Sequence, residues 1–464
     1  MVFSSITFLF YFLPISLLLW LPFARRNNLA NIVLLGISLL FYAWGEPVFV
    51  VIMLASIALN YVFGRLIAAG RRHRTLWLTL GVTGNLLLLG YFKYVGFLFE
   101  VLFEVFGISV TTPQVHLPLG ISFFTFQAIT YLVDVKRDVV PVQKNIKNLA
   151  LYIALFPQLI AGPIVRYCDI DKQLTIREPS IPLFADGARR FIVGLSKKVL
   201  IANTFATVAD EIFLMNTDAL TSELVLVAIV SYTFQIYFDF SGYSDMAIGL
   251  GKMFGFKFPE NFNHPYIARS IQDFWHRWHI SLSTFFRDYL YIPLGGNRKG
   301  KLRTLVNLWA VFLLCGLWHG AAWTFVLWGA YHGLFLVIER IGLGKVLQKL
   351  PSFIGIAYTL VVVMLGWLLF RAESLTQFTT MLDVLFTGGL ESHNIHKKYT
   401  KDILLLVTTA AAFIGSTPLI SRYVLQTKHW GMAVISDVFL FLCFVLSVSY
   451  LAAGTYNPFI YFRF

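Results

Sequence analysis

The sequence has little charge. Asp, Glu, Lys and Arg make up 13% of its 464 residues, about half the usual share in a soluble domain. It is not a disordered chain either, because disorder requires few aromatic residues and a high net charge, and 17% of this chain is aromatic. Hydrophobic residues account for 58% and the mean hydropathy is +0.72. This composition is typical of an integral membrane protein that crosses the bilayer many times.

Other familiar signals are missing. The three cysteines, Cys168, Cys315 and Cys443, are far apart and predict neither a disulfide framework nor a zinc site. The chain contains no GxxxxGK[ST], HExxH or GxSxG motif, which disfavours ATP-driven transport and simple hydrolase chemistry. Its first twenty residues lack a basic start and a cleavage site, so we expect a retained first span.

Long continuous apolar runs favour helical spans over barrel strands. The chain has room for roughly ten to twelve helices of about 20 residues in one domain of residues 1–464. The predicted spans are residues 3–23, 29–44, 48–69, 76–106, 119–133, 199–215, 224–250, 305–318, 322–338, 353–370, 403–420 and 434–453.

Basic residues predict the topology. The net charge is +13, which the positive-inside rule explains without nucleic-acid binding. Arg25-Arg26 and the run 71–74 flank a pair of spans and should face the cytoplasm, which places the N-terminus outside. Residues 371–401 form the longest polar loop predicted on the outer side. The run 149–165 has basic residues on both sides and is broken by Pro157 and Pro163, so it predicts two re-entrant half-helices that line a cavity. A half-helix ending at Arg166 would admit an anionic ligand. The alternative is that this segment serves only to pack helices together.

Two histidines lie inside apolar segments, His319 in Leu317-Trp318-His319-Gly320 and His332 in Tyr331-His332-Gly333. A buried neutral imidazole can act as a general base. The alternative is a pair of hydrogen-bonded core histidines. Metal ligation is not expected, because no carboxylate or second histidine stands at ligand spacing.

Two further segments combine polar and aromatic residues. If 273–281 is one helix, Asp273 and Arg277 are paired, and His276 and His279 are neighbours. This face would be the polar wall of a reaction chamber or the surface of an amphipathic helix. The run 235–245 holds Asp239 and Asp245 inside a span, which favours a structural polar network. The predicted chamber-lining residues are Trp318, Asp273, His276, Arg277, His279, Tyr237 and Asp239.

The chain resembles the membrane-bound O-acyltransferase (MBOAT) family over nearly its whole length, in the bacterial polysaccharide branch that includes the membrane subunit of alginate O-acetylation. The resemblance is carried by residues 120–124, 157–166, 237–251, 273–293, 318–320, 331–333 and 457–462. It implies an all-α polytopic fold, with a ring of helices and re-entrant pieces around a central funnel. It also implies that His319 is the catalytic histidine and that His332 belongs to a second motif.

The resemblance implies a reaction as well. An inner-membrane enzyme of this branch moves an acetyl group from cytoplasmic acetyl-CoA toward an exported polysaccharide, such as alginate or cellulose, through a periplasmic SGNH-type partner. The basic cluster Arg298, Lys299, Lys301 and Arg303 would bind the phosphates of CoA, although the positive-inside rule alone explains it. Alternatives are a D-alanyl or protein acyltransferase of the same family, or a transporter of acetyl groups or lipid-linked sugars that makes no covalent bond.

Overall fold

A computed structural model describes residues 1–70, 72–108, 113, 115–388, 399, 402–419 and 430–460. Helices dominate, and the residues so described form no β-strand, which confirms the all-α prediction. The chain divides into two compact units, one of Met1–Phe191 and Ser244–Glu260, the other of Ile192–Tyr243 and Asn261–Phe464. The single domain inferred from the sequence stays a prediction.

The first unit contains α1 (Phe8–Phe23), α2 (Asn27–Gly45), α3 (Val50–Ala69), α4 (Arg74–Phe106), α5 (Ile121–Lys136), α6 (Ile146–Ala154), α7 (Phe156–Leu159) and α8 (Tyr167–Thr175). Two long helices, α9 (Ile181–Phe213) and α10 (Ser222–Met253), contribute residues to both units. The second unit continues with α11 (Ile271–Arg277), α12 (Ile280–Phe286), α13 (Lys301–His319), α14 (Trp323–Lys349), α15 (Ser352–Arg371), α16 (Leu375–Thr387), α17 (Ile403–Gly415) and α18 (Trp430–Ala452).

Nine helices within the described part of the chain are long and apolar enough to cross a membrane: α2, α3, α4, α9, α10, α13, α14, α15 and α18. With the shorter apolar helices α1 and α17, their number agrees with the predicted ten to twelve. Only 6% of the most apolar window of α4 is buried, and 11% of that of α18. Such apolar surfaces are stable in lipid and not in water, so the chain is a multi-pass membrane protein.

The run 149–165 was predicted to be broken at Pro157 and Pro163, and the structure interrupts it at Leu155, two residues before Pro157. Helices α6 and α7 have nine and four residues and are separated at Leu155. At a rise of about 1.5 Å per residue, neither can cross a hydrocarbon core of about 30 Å. The Arg166 guanidinium lies 2.8 Å from the Asp169 carboxylate, which favours the packing interpretation of this segment over an anion site.

The predicted start of a span at residue 199 is wrong. Helix α9 begins at Ile181 and includes basic residues that the sequence had placed in a cytoplasmic loop. Their charges are paired inside the protein. Arg190 lies 2.6 Å from both Asp245 and Glu260 in the first unit. Lys198 lies 2.9 Å from Asp239 in the second. A loop assignment from basic residues fails where partners distant in sequence neutralise the charge.

The predicted outer loop 371–401 is partly helical, because α16 occupies residues 375–387. Residues 389–398, 400 and 401 of this loop lie outside the described part of the chain, as do residues 461 and 462 of the last motif.

Helices α13 and α14 approach each other very closely. A Cβ atom on Gly316 would lie 2.2 Å from the carbonyl oxygen of Phe325, and one on Gly329 would lie 2.3 Å from that of Phe312. These neighbours are backbone atoms, which cannot move aside independently. Two facing glycines therefore bring the helices together, as small residues commonly do in membrane proteins. His319 lies on one of these helices and His332 on the other.

This crossing generates a stability prediction. Gly329→Ala should lower the free energy of unfolding by roughly 1–3 kcal/mol, because the added methyl group must push the two backbones apart. SDS titration of the detergent-purified protein, followed by circular dichroism, measures the change. Gly90→Ala is the matched control, since Gly90 in α4 has no atom within 4 Å of the added carbon. Equal stability of both variants would contradict the account.

Candidate active site

His319 is the last residue of α13. Helix α13 ends here because Gly320 adopts an extended conformation, and its N–H donates to the Gly316 carbonyl at 3.3 Å. A Cβ atom on Gly320 would lie 2.1 Å from the Phe325 ring, so glycine is required at this turn. The absence of a side chain at this position lets the Phe325 ring pack against the turn.

Aromatic rings surround the His319 imidazole. Its centroid lies 4.9 Å from that of Trp318, 5.0 Å from that of Trp328 and 5.3 Å from that of Phe370. The side chain is nearly buried, with 7% of the residue exposed. Because indole and phenyl faces are apolar, they surround the imidazole with an environment of low dielectric constant.

The imidazole lines a small cavity of about 20 Å³, enough for about one water molecule. The seven other lining residues are apolar or aromatic: Ile236, Phe240, Trp278, Trp328, Trp367, Phe370 and Ile460. They come from α10, α14, α15, the end of α11 and the segment after α18. His319 is therefore the one titratable group among the eight lining residues.

His332 lies behind this cavity and does not line it. Its centroid is 5.0 Å from that of Trp328 and 5.1 Å from that of Trp275, and the residue is fully buried. Neither ring nitrogen has a hydrogen-bond partner among the described residues. Trp328 contacts both imidazoles, so His332 reaches the site through this indole. The glycine at 366 makes room for it, since a Cβ atom there would lie 2.9 Å from Nε2.

The continuous helix predicted for 273–281 is wrong. Helix α11 ends at Arg277, Trp278 is extended, and His279 adopts a left-handed conformation with φ of 44°. His276 is exposed and His279 is buried, so they do not share a face. The Nδ1 atom of His279 accepts the Leu282 N–H at 3.3 Å and so caps α12.

The His279 imidazole is neutral at physiological pH, because burial lowers its pKa to about 3. It packs on Phe240 and Trp318, with ring centroids 4.6 and 6.0 Å apart. It therefore supports two rings near the cavity, and it is not among the residues that line the cavity.

The predicted i,i+4 pair is present, with Arg277 Nε 2.8 Å from Asp273 Oδ1. Both side chains are about one-third exposed. The pair therefore lies on the surface, in agreement with the amphipathic-helix alternative. Trp278, the residue that follows Arg277, is one of the residues that line the cavity.

The three remaining predicted wall residues, Trp318, Tyr237 and Asp239, are not among the residues that line the cavity. Trp318 contacts the His319 ring from outside this lining. The Tyr237 ring packs on that of Trp278, with centroids 6.2 Å apart. Asp239 pairs with Lys198, which agrees with the structural polar network favoured for residues 235–245.

The basic cluster is placed at the opposite end of α13 from His319. Arg298, Lys299, Lys301 and Arg303 are all exposed, and Lys301 begins the helix that His319 ends. Eighteen residues separate the two, which corresponds to about 27 Å along the helix axis. The cluster can therefore bind an anionic group only at the far end of a long substrate.

The sequence analysis did not predict several residues that form or support the site. Trp367 and Phe370 stand three apart on α15, and Ile236 and Phe240 stand four apart on α10. These spacings are the usual signature of one helix face, yet aromatic faces are common throughout this chain. Glu339 was also missed. Its buried carboxylate accepts the backbone N–H groups of residues 271 and 272 at 2.6 and 3.0 Å and so holds the start of α11.

Among the described residues, no group of three or more His, Cys, Asp or Glu side chains could hold a metal ion.

Comparison with known proteins identifies the family of the chain. Residues 85–349 match the model of MBOAT, the membrane-bound O-acyltransferase family. The chain is 42% identical to the "Probable alginate O-acetylase AlgI" of Pseudomonas putida over 490 residues, which cover all of both chains. It is 46% identical to the protein of that name from Pseudomonas aeruginosa, over 84% of this chain and 75% of that one.

The "Peptidoglycan O-acetyltransferase" of Helicobacter pylori is 37% identical, over 81% of this chain and 78% of that one. The chain belongs to the membrane-bound O-acyltransferase family. It is an O-acyltransferase and uses an acyl donor. Because members of this family transfer acyl groups, the alternative of a transporter that makes no covalent bond is disfavoured.

The position of His332 behind Trp328 generates a kinetic prediction. His332→Ala should lower kcat about 10–100-fold, because the void lets Trp328 and then His319 move away from the reacting geometry. His332→Phe should restore most of the rate, since it keeps a ring against Trp275 and Trp328. Steady-state kinetics of acyl transfer measure both. If the Phe variant is as slow as the Ala variant, the imidazole itself is needed and the packing role is wrong.

Proposed function

We propose that the chain transfers an acetyl group from cytoplasmic acetyl-CoA across the bacterial inner membrane, for O-acetylation of an exported polysaccharide such as alginate or cellulose, with a periplasmic SGNH-type partner. The observation that carries the proposal is His319, a single imidazole in a narrow aromatic cavity. The names of the similar proteins, alginate O-acetylase and peptidoglycan O-acetyltransferase, support a cell-surface polysaccharide as the destination.

His319 acts as the general base. A neutral ring nitrogen accepts the proton of the acceptor hydroxyl while the oxygen attacks the thioester carbonyl. The tetrahedral intermediate then expels the CoA thiolate, which takes the proton from the imidazolium. The products are the acetyl ester and CoA thiol. The surrounding rings exclude water and so suppress hydrolysis of the thioester.

The cavity supports a small acyl group. The cavity is narrow and its lining is apolar or aromatic apart from His319, which favours a small acyl group over a long acyl chain. D-alanine would add an ammonium group, and none of the eight lining residues carries a carboxylate to pair with it. Acetyl is therefore favoured over the long-chain and D-alanyl donors of the alternatives.

The length and charge distribution of coenzyme A match the two ends of α13. Its phosphates lie at one end of a long flexible arm and its thioester at the other. An exposed basic cluster at the start of the helix and His319 at its end match this arrangement. In this orientation the cluster faces the cytoplasm and the N-terminus of the chain faces the periplasm, as the positive-inside rule predicts.

The role of His319 is tested by substitution. His319→Ala should lower transfer about 10²–10⁴-fold, the usual contribution of a general base, while the protein remains folded and inserted. Membranes containing the full chain are supplied with radiolabelled acetyl-CoA and alginate oligosaccharide, and both released CoA and labelled product are counted. Palmitoyl-CoA and a D-alanyl carrier-protein thioester serve as competing donors. His73→Ala, in an exposed position, is the control. Near-normal product formation by His319→Ala would refute the assignment.

The basic cluster is tested separately. Arg298→Ala combined with Lys299→Ala should raise KM for acetyl-CoA about 3- to 30-fold and leave kcat nearly unchanged, because two exposed charges contribute to binding alone. The effect should shrink in high salt. The control is Arg25→Ala combined with Arg26→Ala, an exposed basic pair elsewhere in the chain. An equal rise in KM for both pairs would show that only the net charge matters.

A further inference from the structure

Two buried ion pairs hold the segment of residues 456–460, which follows α18 in the second unit. Lys198 pairs with Asp239, and Arg371 with Asp210. At most 8% of any of these four side chains is exposed. Both pairs also bind atoms of the segment, so its course is fixed by charges on helices distant in sequence.

The first pair binds the main chain of the segment. Asp239 Oδ1 lies 2.9 Å from Lys198 Nζ, and Asp239 Oδ2 accepts the Ile460 N–H at 2.9 Å. Lys198 Nζ donates to the Pro458 carbonyl and, at 2.9 Å, to the Asn203 side chain. The ammonium group thus donates two hydrogen bonds and forms an ion pair with the Asp239 carboxylate. It lies in a π-helical turn of α9, a local widening often found at functional positions.

The second pair binds the beginning of the segment. Arg371 Nη2 donates to Asp210 Oδ1 at 2.6 Å, and the Tyr456 hydroxyl donates to Asp210 Oδ2 at 2.7 Å. Arg371 follows Phe370 at the end of α15, and Phe370 lines the cavity of His319. Both ion pairs therefore lie next to the cavity lining. Asp239 is hydrogen-bonded to Ile460, and Arg371 is the residue after Phe370.

Stability alone is a poor reason for such pairs. The desolvation of two charges offsets much of their attraction, and well-packed apolar residues often replace a buried pair without loss of stability. What apolar residues cannot supply is the acceptor for the Ile460 N–H and the donor for the Pro458 carbonyl. The specific contribution of the Lys198–Asp239 pair is the position of these backbone groups.

We propose that Lys198 and Asp239 are positioning residues that fix Ile460 as one wall of the His319 cavity and so limit the length of the acyl group transferred. The proposal rests on the proposed function, since it concerns the same cavity. Because the cavity holds about one water molecule, a shift of one wall changes which acyl groups fit. Without the pair, Ile460 is no longer held, and a four-carbon acyl group gains access.

The test compares two donors. In Lys198→Met combined with Asp239→Leu, the ratio of kcat/KM for acetyl-CoA to that for butyryl-CoA should fall at least tenfold relative to the unmodified protein. Ile460→Ala, which removes the wall directly, should produce a similar fall. Combining all three substitutions should add little, because both changes act on the same wall. The matched control is Arg190→Met combined with Asp245→Leu, an ion pair in the first unit, for which the ratio should not change.

A second readout does not depend on activity. With Cys168, Cys315 and Cys443 replaced by alanine, Ile460→Cys should react slowly with a maleimide, since this residue is 4% exposed. The same thiol should react at least tenfold faster when Lys198→Met and Asp239→Leu are added. Size-exclusion chromatography verifies that each variant is folded. If the double variant fails to fold, Asp239→Asn takes its place, and Asp239→Glu should restore slow labelling.

The outcomes separate the two proposals. Unchanged labelling overturns the positioning role. Faster labelling with an unchanged donor ratio, or an equal loss of activity with both donors, overturns the role in acyl-length selection. If the unmodified protein transfers no acyl group from any CoA thioester, the proposed function fails, and labelling alone decides whether the pair positions Ile460.

Discussion

The close crossing of α13 and α14 is the contact on which the site depends. Gly316 and Gly329 let the two backbones meet without intervening side chains. This brings the end of one helix, with His319, against Trp328 of the other. In lipid there is little hydrophobic drive to press helices together, so close packing has to supply the attraction. A larger side chain at either glycine would separate the histidine from the indole that positions it.

Around this crossing, the protein builds a narrow aromatic cavity, and His319 is the one titratable group among its eight lining residues. In the proposed reaction, the rings that line this cavity keep water and competing charges away from His319. Polar groups that hold the aromatic residues in place lie one layer further out, such as Glu339 at the start of α11 and His279 at the start of α12. Apolar residues thus shape the cavity, and buried polar residues fix the backbone that carries these apolar residues.

Much of the fold follows from the sequence, because long apolar runs and broken ones are read directly from composition. Spans that overlap each of the nine long helices were predicted in this way, as was an interruption of the run 149–165 at Pro157. The start of α9 was not, since Arg190 and Lys198 resemble loop residues until their partners are seen. Within the site, histidines inside apolar segments drew attention to His319. The walls contributed by Trp367 and Ile460 depend on contacts between distant segments, which no local pattern encodes.

The bond between Asp239 and residue 460 is made to the peptide N–H and not to the side chain. Any amino acid except proline offers that same group. The anchor therefore tolerates substitution of the isoleucine, and the wall can become bulkier or smaller while its main chain stays where it is. A lineage could thus alter the substrate range of such an enzyme through a single codon, without rebuilding the charged framework beneath it.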